Sequence, residues 1–538
     1  MKKKILVTCA LPYANGPIHI GHLLEHIQAD IFVRYQKMKK NDVWFICADD
    51  AHGTAIMLKA QEKNISEEFL IKTVLEDHKK DFYNFDISHD IYHSTHSKEN
   101  LRFVLKVFDI LKTKKMISEK FVNQFFDESS KMFLPDRYIN GTCPVCNSSS
   151  EFGDSCTSCG SFYSVLELIN PISVVSGNVP ILKRTLQVFF NISLFENKIK
   201  KMLLSNVLEK DVSKKVVEWF EIGLRDWNIS RDYPYFGFKI PGYKKKYFYV
   251  WLDAPIGYIS TFKKLCSERN INFNEFWDEN SNTKLYHFIG KDIIYFHSIF
   301  WPAILNAISF RKPTKIYVHG YVKINDRKMS KSTKHLITAK NWYKNFDSDS
   351  LRYYYASKIS NNIEDININA KDFVNSINSG LVNKIINLAT RNASFINKYF
   401  HGMLYKKASN ILEYRNFLNK FNKINLFFKN MKYRDVISEI LKISNFANSY
   451  INDKAPWRFI QYKNMNYVQD VCSTGINFFR IIMTYMKPIL PKLSNRVEYF
   501  LNSKLDFKNL AQPLFDHKIN NVKFLYKRVK IKDFYKLI

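Results

Sequence analysis

The first fifty residues constrain the architecture of this chain more than any other stretch of similar length. Lys4 to Ala10 is an apolar run of strand length, Ile20, Leu23, Leu24, Ile27 and Ile31 follow at helical spacing, and a second apolar run spans Val43 to Ala48. A strand, a helical crossover and a second strand in this order predict a parallel sheet with the helix packed on its face. Strand signals return at Lys246 to Leu252, Lys284 to Gly290 and Lys315 to His319, separated by helical stretches, so the sheet is expected to resume after an insertion. From about residue 376 the pattern is helical almost throughout, as in Val436, Ile440, Ile443, Ala447 and Ile451, and Pro488 and Pro491 mark a later helix end.

The 538 residues suit three or four domains at about 150 residues each. A 46% hydrophobic content with only 16 Gly and 15 Pro supports a buried core and excludes collagen-like, low-complexity and disordered classes. No run reaches the roughly 18 to 20 apolar residues of a membrane span, since Asp253 interrupts even Phe248 to Ile259. Lys2, Lys3 and Lys4 before Ile5 to Leu11 imitate a secretion signal, but Pro12 and the Asn15-Gly16 turn break it, and a cytoplasmic protein is expected. The 81 Lys and Arg against 50 Asp and Glu give a net charge of +31, a field that attracts RNA or DNA. The same excess arises from the Lys- and Asn-rich coding of an AT-biased genome, so charge alone leaves the partner open.

Four of the eight cysteines crowd into Cys143-x-x-Cys146 and Cys156-x-x-Cys159, with Asn147 and Gly160 at turn positions. Four thiolates so spaced predict a closed tetrahedral zinc site, structural because no ligand position stays open for water. Cys9, Cys47, Cys266 and Cys472 are scattered in apolar surroundings, which fits a reducing compartment.

Two further motifs carry chemistry. His19-Ile20-Gly21-His22 opens the first helix after the Pro12 to Pro17 loop, where a helix N-terminus and two imidazoles on one face can hold a triphosphate and Gly21 admits an adenine. The missing G-x-G-x-x-G argues against a dinucleotide fold. Lys328-Met329-Ser330-Lys331-Ser332 follows the strand signal ending at His319 and offers two ammonium groups to a leaving pyrophosphate. Each motif alone also suits a solvated segment, or, for the histidines, a metal pair.

Together and in this order, the two motifs resemble the signatures of class I aminoacyl-tRNA synthetases. Val7 to Gly16, Cys47 to Thr54, Trp251 to Tyr258 and Gly290-Lys291-Asp292 are similar to the bacterial methionyl-tRNA synthetases, a likeness that runs over essentially the whole chain. The resemblance implies a Rossmann-like catalytic domain in two halves, 1–115 and 233–324, a zinc-knuckle insertion at 116–232, a signature-loop and stem-contact region at 325–384, and a helical anticodon-binding bundle at 385–538. It implies methionine contacts at Ala10, Leu11, Tyr13, Asp50, Trp251, Ala254, Pro255, Tyr258, Ile293 and His297. ATP would be held by His19, Gly21, His22, Gly290, Asp292, Lys328 and Lys331, and the anticodon read by Asn383, Asn387, Arg391 and Trp457. Among these, Asp50 can pair with an α-ammonium, Trp251, Pro255 and Ile293 are apolar walls for a thioether, and Tyr258 can hydrogen-bond its sulfur.

The implied activity is ATP-dependent activation of L-methionine and transfer to tRNA(Met), at the 2′-hydroxyl by class I resemblance, with Mg2+ accompanying ATP and one structural Zn2+. The chain departs from the family where Thr333-Lys334 stands in place of the usual Arg-Gly after the lysine loop, which removes a flexible glycine. Relatives that dimerise carry a β-barrel beyond the bundle, so a monomer is expected here. The insertion is too short for the editing domain of the isoleucine, valine and leucine enzymes. The rival readings are a smaller nucleotidyltransferase, which leaves the knuckle and bundle unexplained, and a non-catalytic RNA-binding relative, which predicts decayed motifs.

Overall fold

The computed structural model describes residues 2–153, 156, 158, 159, 161, 163–328, 336–360, 362–407, 410–522 and 524–537. Its centre is a parallel sheet of β1 (Lys4–Cys9), β2 (Asp42–Asp49), β3 (Ile91–Ser94), β4 (Lys284–Gly290) and β5 (Lys315–His319), in the order β5-β4-β1-β2-β3. The sheet is covered on both faces, so its strands read as continuous apolar runs. Ile5, Val7 and Cys9 enter the core beneath α1 (Ile20–Met38), while Leu6 enters a second core around α2 (Val250–Arg269). β1 connects to β2 through α1 on one side and pairs with β4, from after the insertion, on the other. Strand order therefore reverses beside β1, and this switch point opens a crevice at the carboxyl ends of β1 and β4.

Two strand expectations need correction. Lys246 to Leu252 is not a sheet strand: Lys246–Phe248 pairs antiparallel with Ser230–Asp232 outside the parallel sheet, and α2 begins at Val250. The apolar run that reads as a strand is the start of a helix buried on nearly all sides, which a short window cannot distinguish. The edge strand β3 was not anticipated, because its four residues are only partly buried and carry no apolar run.

The insertion builds an antiparallel sheet ordered Trp227–Asn228, Ile181–Phe190, Ile117–Asp127, Met132–Phe133, with the four cysteines near a small sheet of Glu151–Phe152, Ile139–Thr142 and Ile169–Ser173. After β5, Val322–Ile324 pairs with Arg327–Lys328 and, in parallel, with Ile366–Ile368. Most of the remainder as far as Leu501 is helical, including α3 (Ser348–Lys358), α4 (Asn387–Phe400), α5 (Tyr433–Lys454) and α6 (Met465–Met486). α6 ends just ahead of Pro488, and Pro491 opens the next helix, as the prolines suggested.

Arg352 on α3 joins the helical region to the sheet. Fully buried, it pairs with Asp30 of α1 at 2.6 Å and donates to the carbonyls of Phe85, Pro488 and Ile489. Among the described residues no helix is long and apolar enough to cross a membrane.

Candidate active site

Where β1 ends, the Ala10 N–H donates to the Phe288 carbonyl of β4 at 3.0 Å, so Ala10 and Leu11 run along the crevice. The Asp50 N–H donates to Pro12, and the Ala14 N–H to Asp50, both at 2.8 Å, which sets Tyr13 beside Asp50. Gly53 holds φ at 124°, and a Cβ there would lie 2.5 Å from the Tyr13 hydroxyl, so only glycine fits. The loop is clamped from below by His78, which donates one ring N–H to Asp49 and the other to the Gly16 carbonyl, each at 2.7 Å. Two acceptors require the imidazolium. Burial opposes that charge, but Asp49 and Gly16 raise the pKa of His78 above the usual histidine range.

His19 caps α1. Its Nδ1 accepts from the N–H groups of Gly21 at 3.1 Å and His22 at 3.3 Å, while His22 Nδ1 accepts from the His19 N–H at 3.3 Å. The two rings stack at 3.6 Å. This reciprocal capping box uses imidazoles where a serine and a glutamate ordinarily stand. Because each Nδ1 is an acceptor, a neutral ring carries its proton on Nε2, and the cap sets two N–H donors at the positive end of a 19-residue helix.

The apolar part of the site gathers on α2 and the segment after β4. Trp251 stacks on Phe296 at 3.6 Å and meets His297 edge-on at 6.5 Å. Pro255 has no N–H to give the Trp251 carbonyl one turn earlier, which loosens the first turn of α2 around the indole. His297 donates Nδ1–H to the Ile293 carbonyl at 3.1 Å, leaving Nε2 to accept the Tyr258 hydroxyl proton at 2.9 Å. The Tyr258 proton is thus directed at His297, and its oxygen lone pairs remain for other contacts. Ala254, Pro255, Tyr258 and His297 are all buried.

The loop after β2 and the start of α2 carry an electrostatic demand. Burial, and then the neighbouring Asp253 carboxylate, push Asp50 well above the usual carboxyl range. Asp50 Oδ1 and Asp253 Oδ1 are buried with no hydrogen-bond partner among the described residues. Asp253 is matched on its other oxygen by His52 at 2.7 Å, which in turn meets His96 at 2.9 Å. Asp50 Oδ1 has no such partner among the described residues, and a ligand's ammonium group would supply one.

At the end of β4, a Cβ on Gly290 would approach Asp292 Oδ1 to 2.8 Å, so glycine lets the Asp292 side chain fold over the strand end. Beside it, His319 lies 3.3 Å from Glu25 of α1. The lysine loop is bracketed on both sides: Lys328 ends the strand paired to Lys323, and beyond it Thr338 forms a backbone bridge to His19, with Ala339 N–H donating to the Ile18 carbonyl at 2.8 Å. The far end of the loop is therefore tied to the histidine motif, and the near end to the strand that follows β5. Lys331, with Thr333 and Lys334, falls outside the described residues.

The family described as tRNA synthetases class I (M) matches residues 5–393. The methionine–tRNA ligase of Buchnera aphidicola subsp. Schizaphis graminum is 57% identical over 528 residues, covering 98% of this chain and 97% of the relative. That of Buchnera aphidicola subsp. Baizongia pistaciae is 54% identical over 534 residues, covering 99% and 98%. The chain belongs to the methionine–tRNA ligase family. Its fold matches the Mycobacterium tuberculosis methionyl-tRNA synthetase bound by methionyl-adenylate with a TM-score of 0.81 at 19% identity, over 98% of this chain and 100% of that one. The free form of the same mycobacterial protein matches with a TM-score of 0.73 at 18% identity.

In this methionine–tRNA ligase the four knuckle cysteines converge. Cys143 and Cys159 sulfurs are 3.9 Å apart, and those of Cys146 and Cys156 are 3.6 Å apart, too far for disulfides. Tetrahedral zinc with bonds of about 2.3 Å requires sulfurs about 3.8 Å apart, so the spacing fits the metal. Backbone N–H groups of Val145 and Cys146 point at the Cys143 sulfur, and that of Cys159 at the Cys156 sulfur. Asn147 takes the left-handed conformation expected of the turn, at φ 59°, whereas Gly160 is outside the described residues.

The ligase's helical region presents Asn387 and Arg391 one turn apart on α4, with Arg391 5.3 Å over the ring of Trp457 and bonded to Asn452 at 2.9 Å. Trp457 is 38% exposed just after Pro456 opens its helical turn. Asn383 lies one turn earlier on the same helical stretch, its side-chain oxygen held by Arg528. Sequence reasoning missed Phe296, the stacking partner of Trp251, and the pairs His52–Asp253 and Glu25–His319. Phe296 adjoins His297 in the chain and was within reach; the pairs join residues 201 and 294 positions apart and left no local signal.

Proposed function

We propose that this methionine–tRNA ligase activates methionine and charges tRNA(Met) through the residues named above. The observation that carries the reading is the Asp50 carboxyl oxygen left without a hydrogen-bond partner among the described residues, close enough to Tyr258 to add to the upward pKa shift that burial gives it, with Tyr258, His297 and Trp251 in mutual contact: an ammonium beside an apolar, polarisable side chain is what a methionine offers. His19 and His22 stand at the N-terminus of α1, just after the same loop, and would hold the phosphates of ATP.

In the first step a methionine carboxylate oxygen attacks the α-phosphorus of ATP, and the bond to pyrophosphate breaks as the bond to methionine forms. Asp50 orients the amine, the two imidazoles hold the α- and β-phosphate oxygens, and Gly290 with Asp292 receives the ribose. Lys328 and Lys331 would move onto the departing pyrophosphate, stabilising charge that develops only in the transition state. Mg2+ bound with ATP would offset phosphate charge. In the second step a ribose hydroxyl of the terminal adenosine attacks the adenylate carbonyl and AMP leaves.

One zinc at the knuckle is proposed to fold the insertion without entering the chemistry, supported by the sulfur spacing. A reducing, cytoplasmic setting is proposed with it, since four thiols gathered at metal-ligand spacing serve as ligands only when reduced. Asn383, Asn387, Arg391 and Trp457 are proposed to read the anticodon, with Trp457 as the stacking platform. The test is methionine charging of tRNA(Met) by wild type and Trp457→Ala. A base stack is worth about 1 to 3 kcal/mol, so kcat/KM for tRNA is expected to fall about 5- to 150-fold. Methionine-dependent pyrophosphate exchange should be unchanged. An equal loss in both assays would place Trp457 in the structure of the catalytic half and contradict the assignment.

A further inference from the structure

A second group of metal-type donors lies in the core beneath the histidine motif, with no part in the chemistry above. His26 of α1, Cys47 of β2 and His89 place donor atoms all within 4.8 Å of one another. Cys9 and Glu25 form a second such group with the same His26. Cys9 and Cys47 are neighbours: Thr8 pairs with Ile46 in the β1–β2 register, and the next residue on each strand enters the same core beneath α1. Two thiols and two imidazoles make a Cys2His2 donor set, which suits zinc, cobalt and cadmium. His26 is 1% exposed, Cys47 1% and Cys9 0%, whereas His89 is only partly buried and gives the cluster a side open to solvent.

The polar atoms around the cluster are held by few and exchangeable contacts. Glu25 Oε1 is buried without a hydrogen-bond partner among the described residues. The Cys47 thiol donates weakly to the carbonyls of Cys9, Ala10 and Ala48 at 3.7 to 3.9 Å, leaving its sulfur lone pairs available to a metal. His26 Nδ1 and His89 Nε2 share one hydrogen at 3.1 Å, a contact that a cation can replace.

We propose that His26, Cys47 and His89, joined by Cys9, form a second metal site for a thiophilic divalent cation. Binding forms metal–sulfur and metal–nitrogen bonds, releases the thiol protons to solvent, and moves the shared imidazole proton to the other nitrogen of its ring. Bonds of about 2.0 to 2.3 Å require the donors to draw together. His26 is one turn beyond His22, and Cys47 is three residues before Asp50. Closing the cluster therefore pulls the phosphate-binding end of α1 against the strand that carries the ammonium-binding carboxylate, and occupancy slows methionine activation.

The test is equilibrium dialysis of the full chain, zinc in its knuckle, against cadmium chloride, counting metal ions per chain and following thiolate-to-cadmium charge-transfer absorption. Two ions per chain are expected in wild type. Cys47→Ser and His89→Gln should each keep the knuckle ion and weaken the second at least tenfold, and Cys143→Ser should lose the knuckle ion while keeping the second. A count of one, or a second ion that neither Cys47→Ser nor His89→Gln affects, overturns the site. If Cys47→Ser does not fold, the part-exposed His89→Gln decides. Cadmium should lower methionine-dependent exchange at least tenfold in wild type, reversibly with chelator, and full activity with two ions bound would overturn the coupling. The metal count stands independently of the proposed activity.

Discussion

Single residues set the chemistry of this molecule mostly through protons and charges with only one place to go. Nδ1 of both His19 and His22 accepts from backbone N–H groups, which fixes the tautomer with its proton on Nε2. Asp50 is the converse case, a carboxyl pushed up by burial and by Asp253 until a cation arrives. Methionine binding should therefore release a proton from Asp50 below its raised free-enzyme pKa, and KM for methionine should rise as pH falls through that pKa. Asp50→Asn should abolish this pH dependence and, as truncation of a buried charge pair costs about 2 to 5 kcal/mol, weaken methionine binding at least 30-fold. Measured KM against pH for both proteins checks it; an unchanged profile in the variant would assign the titration elsewhere. The histidine motif and the cysteine knuckle were legible because their partners lie within a few residues. The compensation of Asp253 by His52 was not, since it depends on how α2 packs against the loop after β2.

At the scale of elements, the joint between sheet and helices is polar and buried. Arg352 of α3 brings a guanidinium to Asp30 of α1, whose carboxyl is held far below the usual range by Arg34 and Arg352 against the cost of burial. Arg352→Ala leaves Asp30 with Arg34 as its one remaining ion-pair partner among the described residues, beside the Ser88 bonds, and removes the donor to three carbonyls, and a loss of about 3 to 5 kcal/mol is expected from urea unfolding. The same joint holds Asp349, which accepts from the Leu493 N–H at 2.7 Å. Burial, and then Asp347, raise its carboxyl to about 7. For a raised acid the native state holds the proton more tightly, so its contribution is complete below about pH 4, the unfolded value, and is lost as pH rises toward 7. Asp349→Asn keeps the acceptor for Leu493 and should flatten stability across that window, raising Tm above pH 7; an unchanged pH dependence of Tm would refute it. The elements themselves were mostly legible, since β1, β2, β4, β5 and the bundle helices carry clear periodicity. The Lys246 segment was misread because a helix buried all round has no polar face to mark its period.

The whole molecule divides its work by distance. The parallel sheet brings residues from its first fifty positions beside others from near 250 and 290, and the helical region places Trp457 and Arg391 on a face of their own. The order of these parts was legible from two short motifs and a change of periodicity. The Glu25–His319 pair was not, because it exists only once the insertion has been spanned. The central claim is that one crevice joins methionine to ATP, and pyrophosphate exchange into ATP, run with each of the twenty amino acids separately, tests it most directly. The account predicts exchange with methionine and none comparable with the other nineteen, reduced about 100- to 1000-fold when His22 is replaced by Ala. Exchange driven equally well by another amino acid, or none at all from folded, zinc-loaded protein, would contradict it.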